Sequence, residues 1–410
     1  MSSARQPFEA LAAAVPVVLE RWFAEQGVPP ALDLARSGAA ALTVGELMAL
    51  ASPDALSELL ALSLDYADPA GTGALRDAIA QSGAARAGAE VLVTHGAVEA
   101  LLLTCAAVVG ERRRVLVGTP SYEALLRAPR AVGADVVPVP VWRQPMRRLD
   151  LTGLEELVDG EVAAVLVNSP SNPTGATASP ADLDRLASRC ADAGAVLVVD
   201  EVGLGTLDPA RRSASTLSRF GEGAVVVIGD LSKACGVGGL RTGWLTTASA
   251  RVRRDAAASR DLTSLGGAAP TDLLATWALR QRDRIMGPVR AAARTNLDLL
   301  SAWIAARDVA GLAPPQDGLV AFPWLPQAAS EGFAARLREA HGVSIVPGGL
   351  FGVNGHVRIG LGLSTPRFAR AVELLDASLG RLRGPRRAIP RRPATADSVS
   401  GVIRRFDPVP

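Results

Sequence analysis

The sequence predicts an α/β fold, a seven-stranded and mostly parallel sheet between helices, followed by a smaller C-terminal α/β portion. Three observations carry this reading. Seven short apolar runs, rich in valine, lie between residues 91 and 247. Amphipathic stretches of helical period separate most of them, and uninterrupted apolar runs of this kind belong to strands covered on both faces. Polar and glycine-rich clusters follow the carboxyl ends of the runs, where ligands gather in such sheets.

Taken in order, residues 1–60 read as an N-terminal segment of helices and loops. A large domain is expected over 61–290. Its first strand, VLV at 91–93, feeds a helix from Val98 to Val109, and VLVG at 115–118 feeds another near 121–133. VVPVPV at 136–141 and AAVLVN at 163–168 follow, the second leading to a helix near 180–193. AVLVVD at 195–200, AVVVIG at 224–229 and WLTT at 244–247 complete the set. A long helical region covers roughly 266–305. A small domain over 291–383 holds strands at LVAF (319–322), VSIV (343–346) and HVRIGLG (356–362). Residues 384–410, rich in proline and arginine and without period, read as a tail.

Composition narrows the function. A net charge of +2 over 410 residues calls for neither nucleic acid nor a membrane surface. No apolar stretch approaches the roughly 20 residues of a spanning helix. The first ten residues, MSSARQPFEA, lack the basic start and apolar core of a secretory signal. Cys105, Cys190 and Cys235 are widely spaced and odd in number, which suggests reduced thiols in a cytoplasm. His95, His341 and His356 are too scattered for a metal cage.

One residue stands apart. Lys233 is the only lysine among 43 basic residues; every other one is arginine. A guanidinium stays protonated and forms no reversible imine with an aldehyde. A primary amine does, and burial brings its pKa toward the reactive range.

Distinct motifs surround it. Ser232-Lys233-Ala-Cys-Gly236-Val-Gly-Gly239-Leu-Arg241-Thr-Gly-Trp244 joins the amine to a guanidinium fork suited to phosphate. Its glycines let the backbone pass close to a ligand. Asn168-Ser-Pro170-Ser-Asn172-Pro173-Thr-Gly175 follows the fourth strand and Asp200 ends the fifth. Thr94-His95-Gly96-Ala97-Val98-Glu99 opens a helix after a strand, where free backbone N–H groups attract an anion. Tyr66 and Tyr122 are the chain's only tyrosines, and Arg358 alternates with apolar neighbours on a strand. That alternation directs Arg358 out of the second core and toward the cleft.

In this order the motifs resemble those of the class I/II aminotransferases, the fold-type I pyridoxal 5′-phosphate (PLP) enzymes, over nearly the whole chain. The resemblance implies that Lys233 carries PLP as a Schiff base and, once freed, moves the substrate's α-proton. It implies that Arg241 grips the phosphate beside Gly96, Ala97 and Val98, with Ser232 also in the cofactor site. Asn172 would bond the phenolic oxygen, Asp200 the pyridine nitrogen, and Tyr122 would stack on the ring. Tyr66 would reach the partner subunit's phosphate, which implies a homodimer with shared sites. Arg358, with Asn172, would hold the carboxylate of an amino-acid substrate.

Two positions depart from the family pattern. Gly203 stands where a tyrosine usually bonds the phenolic oxygen. Asp230 stands where a serine or threonine usually meets the phosphate, so it points away, is protonated, or is held by an arginine such as Arg241. Ser37-Gly38, Thr43-Val-Gly45-Glu46-Leu47 and Thr94-His95-Gly96 are also similar to capreomycidine synthase-like enzymes of the same fold. Those enzymes eliminate and cyclise, which gives an alternative to transamination. A non-catalytic effector-binding module of a regulator fits poorly, since the residues before Tyr66 carry no basic recognition helix.

Overall fold

The computed structural model describes residues 16–84, 90–214, 225–307 and 310–380. The expected tail at 384–410 and the first fifteen residues lie outside the described residues. The chain begins with helix α1 (Val18–Gln26), strand β1 (Leu32–Asp33) and helices α2 (Val44–Ala51) and α3 (Ala55–Leu60). Thr43 caps α2 in a reciprocal box with Glu46, each bonding the other's backbone N–H.

The large sheet comprises β2 (Val91–Thr94), β3 (Arg114–Thr119), β4 (Asp135–Pro140), β5 (Val162–Asn168), β6 (Val196–Asp200), β7 (Val225–Asp230) and β8 (Gly243–Thr246). Their spatial order is β2-β8-β7-β6-β5-β3-β4. Neighbours run parallel except at β8, which is antiparallel to both β2 and β7. Strand β5 shows why the sequence runs apolar without alternation. Val165 and Val167 pack into one core while Ala164 and Leu166 pack into another on the opposite face.

Helices cover both faces, among them α4 (Gly73–Ile79), α5 (Ala97–Val108), α6 (Ala124–Ala131), α7 (Thr152–Leu157), α8 (Pro180–Ala193) and α9 (Ala250–Arg260). The bounds of α8 follow local chemistry. Ser179 accepts the Asp182 N–H, Pro180 takes the first turn, and Gly194 closes the helix in the left-handed region. The long helical region expected over 266–305 is two helices, α10 (Ala269–Arg280) and α11 (Arg282–Ala305), broken at Gln281.

A second core lies beyond α11. Strands β9 (Val320–Ala321), β11 (Val346–Pro347) and β12 (Val357–Gly360) form a three-stranded antiparallel sheet in the order β11-β12-β9. The short β10 (Val343–Ser344) pairs instead with β1, in parallel. Helices α12 (Glu331–His341) and α13 (Thr365–Gly380) complete this part, with Phe333, Leu337, Phe368 and Leu375 in its core.

The β1 strap was not expected, because two residues are too short to show a period. It ties the N-terminal segment to both cores. The Gly360 N–H donates to the Leu34 carbonyl at 2.7 Å, and the Leu42 N–H donates to the Gly236 carbonyl at 3.0 Å. A methyl group at Gly360 would fall onto the Arg36 carbonyl. Gly360→Ala is therefore expected to destabilise the protein by about 1–3 kcal/mol, read as a lower melting temperature. An unchanged melting temperature would show that the strap yields without cost.

Candidate active site

The carboxyl ends of β5, β6 and β7 open into a cavity of about 800 Å³. Parallel register sets Asn168 beside Asp200. The Asn168 side chain then organises the turn that follows: its Nδ2 donates to the Asp200 carbonyl at 3.2 Å, and its Oδ1 accepts the Asn172 N–H at 2.7 Å. Asn172 in turn presents Oδ1 to Arg358 Nη1 at 2.9 Å.

Arg358 is 1% exposed. Its Nη2 donates to the Ala35 carbonyl at 2.7 Å. The rings of Phe351 and Phe23 lie 5.3 and 5.9 Å from its guanidinium carbon. Burial drags its pKa down to about 10, so it is still a cation at neutral pH. Its Nε has no hydrogen-bond partner among the described residues. A buried cation with a donor left over is prepared for an anion.

Asp200 is buried with one carboxylate oxygen accepting the Val202 N–H at 3.0 Å. Burial pushes its carboxyl up to about 7; Asp230 adds to the shift and Lys233 opposes it. A cationic ring nitrogen would restore this carboxylate to its charged form. Burial likewise lowers the Lys233 amine below its ordinary value, against the charge of Asp230 and together with Arg358. This is the direction that frees an amine for chemistry.

One end of the cavity is built for an anion. Helix α5 begins after Gly96, whose φ is 81°, and Ala97 and Val98 line the cavity at its first turn. The first N–H groups of a helix have no intrahelical acceptor. Arg241, left-handed at φ 51°, lies over this turn, so closely that a methyl at Gly96 would strike its guanidinium. Glu99 braces the turn by accepting the His95 N–H at 2.5 Å and the Thr263 hydroxyl at 2.9 Å. Ser232 lines the same cavity. Asp230, left open between three dispositions, accepts the Ser232 N–H at 2.9 Å and the Ser232 hydroxyl at 2.7 Å. Its hydrogen bonds among the described residues are to that serine and not to Arg241.

The structure thus brings Lys233, Asp200, Asn172, Tyr122, Ala97, Val98, Ser232, Arg241 and Arg358 to one cavity, with Gly96 directly behind. Tyr66 is not among them: it is 91% exposed and outside this cavity. Gly203 lines the cavity, and a methyl there would meet only ordinary contacts at 3.7 Å, from Gly318 and Pro170.

An entire wall went unread in the sequence. Glu20 on α1 accepts the Tyr122 hydroxyl at 2.7 Å, and burial with Glu20 pushes that phenol far above its usual range. Phe23, Asp33, Ala35 and Arg36 also line the cavity. The wall is fastened by Glu123, a buried carboxylate accepting the Val18 N–H at 2.6 Å and both Nε and Nη2 of Arg127. No local motif announces a helix whose cap is supplied 105 residues away.

These groups fit PLP. The α5 N-terminus and Arg241 suit its phosphate, Lys233 its aldehyde carbon and the protonation-poised Asp200 its ring nitrogen. The comparisons agree. Residues 54–375 match the aminotransferase class I and II family. The chain is 32% identical over 377 residues to capreomycidine synthase of Streptomyces vinaceus, covering 90% of this chain and 95% of that protein. It is 31% identical over 344 residues to the arginine–pyruvate transaminase of Pseudomonas aeruginosa, covering 80% and 86%. Among solved structures, the PLP-dependent cyclase OrfR superposes with a TM-score of 0.81 at 33% identity, covering 90% of this chain and 98% of that one. The chain is a PLP-dependent enzyme of the aminotransferase class I and II family.

Proposed function

We propose that the enzyme acts on an α-amino acid whose carboxylate is held by Arg358 and Asn172 and whose α-proton is moved by Lys233. The observation that carries this is Arg358 itself: a buried cation fixed by Asn172 and Ala35, with its Nε unpartnered among the described residues, lining the cavity that holds the chain's only lysine. Bound PLP supplies the electron sink that makes a proton on the α-carbon removable. Asp200 keeps the ring nitrogen charged, and the lowered pKa of Lys233 suits a group that takes and returns a proton.

The reaction type proposed is transamination. A second reading, elimination or cyclisation with the amino group retained, draws on the open space at Gly203 and on the capreomycidine synthase and cyclase relatives. Both readings suit an arginine-like substrate. One relative is an arginine–pyruvate transaminase, and Glu20 and Asp33 place two carboxylates on the cavity wall, Asp33 already 3.8 Å from the Arg36 guanidinium and Glu20 bonded to Tyr122. The test is to incubate PLP-loaded enzyme with arginine, hydroxylated arginines, aspartate and valine, with and without pyruvate, and to identify products by mass spectrometry. A 2-oxo acid formed together with alanine supports transamination. A cyclised or dehydrated product that keeps its amino group supports the second reading. Arg358→Ala is expected to lower kcat/KM at least about 30-fold, the cost of removing one side of a buried charged contact. An unchanged kcat/KM would remove Arg358 from substrate binding.

Asp200 also sets a pH dependence in the cofactor-free protein. Its folded pKa of about 7 lies above the ordinary 3.8. Between these values the unfolded chain loses the proton and the folded chain keeps it. The stability linked to this group is therefore complete below pH 3.8 and lost as the pH rises toward 7. Cofactor-free Asp200→Asn is expected to melt higher than the natural protein at pH 8, with the difference closing toward pH 4. A difference independent of pH would contradict the burial of this carboxyl.

We further propose a homodimer in which Tyr66 reaches the partner's phosphate. Leu60, Leu64, Tyr66 and Leu262 are large, apolar and strongly exposed on the single chain. Sedimentation should return twice the chain mass, and Tyr66→Phe should weaken PLP binding about tenfold, as for a lost hydrogen bond to a charged group. A monomer that binds PLP with unchanged affinity after this substitution would refute the arrangement.

A further inference from the structure

The phosphate end of the cavity already contains a carboxylate. Asp230 ends β7, is 8% exposed and lines the cavity. Its register partner is Gly243 of β8. A methyl on Gly243 would come within 2.6 Å of the Ala97 nitrogen, so Asp230 stands one strand away from the N-terminus of α5. Its Oδ1 takes both donors that Ser232 owns, the backbone N–H at 2.9 Å and the hydroxyl at 2.7 Å. The charge of Asp230 is felt throughout the site. It supports the charged form of Lys233 and pushes the acidic protons of Asp200 and Tyr122 upward.

We propose that Asp230 is a resident anion of the phosphate cradle, which withholds Ser232 from the phosphate and opposes its charge. The phosphate then rests on the free N–H groups of Ala97 and Val98 and on Arg241. Two like charges that share one partly dry cavity repel enough to weaken binding on the order of tenfold. The coupling of Asp230 to Lys233 and Asp200 is common to PLP and to a phosphate-free analogue, so the difference between the two isolates the penalty on the phosphate.

That difference makes the proposal testable without a substrate. Cofactor-free full-length protein is titrated with PLP and with pyridoxal, which lacks the phosphate. Relative to the natural protein, Asp230→Asn and Asp230→Ser are each expected to tighten PLP binding about tenfold more than pyridoxal binding. Unchanged or weaker PLP binding in both variants overturns the proposal. A parallel change for pyridoxal also overturns it, because Asp230 would then act on the lysine loop and not on the phosphate. Should neither variant fold, Ser232→Ala decides. The proposal expects its PLP affinity to stay within about threefold, whereas a loss of tenfold or more, the size of a charged hydrogen bond, shows Ser232 serving the phosphate and refutes it.

Discussion

The Arg358 guanidinium holds three separate pieces of the chain in one place. It rises from β12 of the second core, bonds the Asn172 turn that follows β5, and bonds the Ala35 carbonyl of the N-terminal strap. A cation this deeply buried is costly unless its donors are satisfied. Satisfying them obliges the sheet, the second core and the strap to converge on the cavity. The remaining geometry of the site follows from that convergence: Asn172 is turned by Asn168, and Asn168 is fixed by its neighbour Asp200.

The sheet was legible in the sequence because its physics is local and repetitive. Strands covered on both faces must be apolar throughout, so each announced itself as a run, and Asn168 and Asp200 stood out as polar residues where runs ended. Most of the residues the sequence singled out for the site, which the structure brings to one cavity, fall just beyond a strand or at a helix start, while Arg358 lies within β12. The N-terminal wall was not. Ala35 acts through its backbone carbonyl, Glu20 is one more charge on a short helix, and Glu123 caps α1 from 105 residues away. None of these leaves a pattern within a short window. Asp230 was legible as an anomaly, while its partner, two residues on, was not foreseen. Tyr66 makes no contact with the cavity of its own chain.

The division of labour within the enzyme follows the same line. The family match runs over residues 54–375 and contains Lys233, Asp200, Ala97, Val98, Arg241 and Arg358. Much of the cavity wall lies before it, on α1 and the strap. A fold does not settle a reaction.

The solitary lysine has a practical consequence. Guanidinium groups do not compete for reagents selective for primary amines, so apart from the chain's own N-terminus such a reagent meets a single target on this protein. That target is buried in the reactive cavity. Amine labelling beyond that of the N-terminus therefore counts open cavities, and its rate follows the access of small molecules to Lys233.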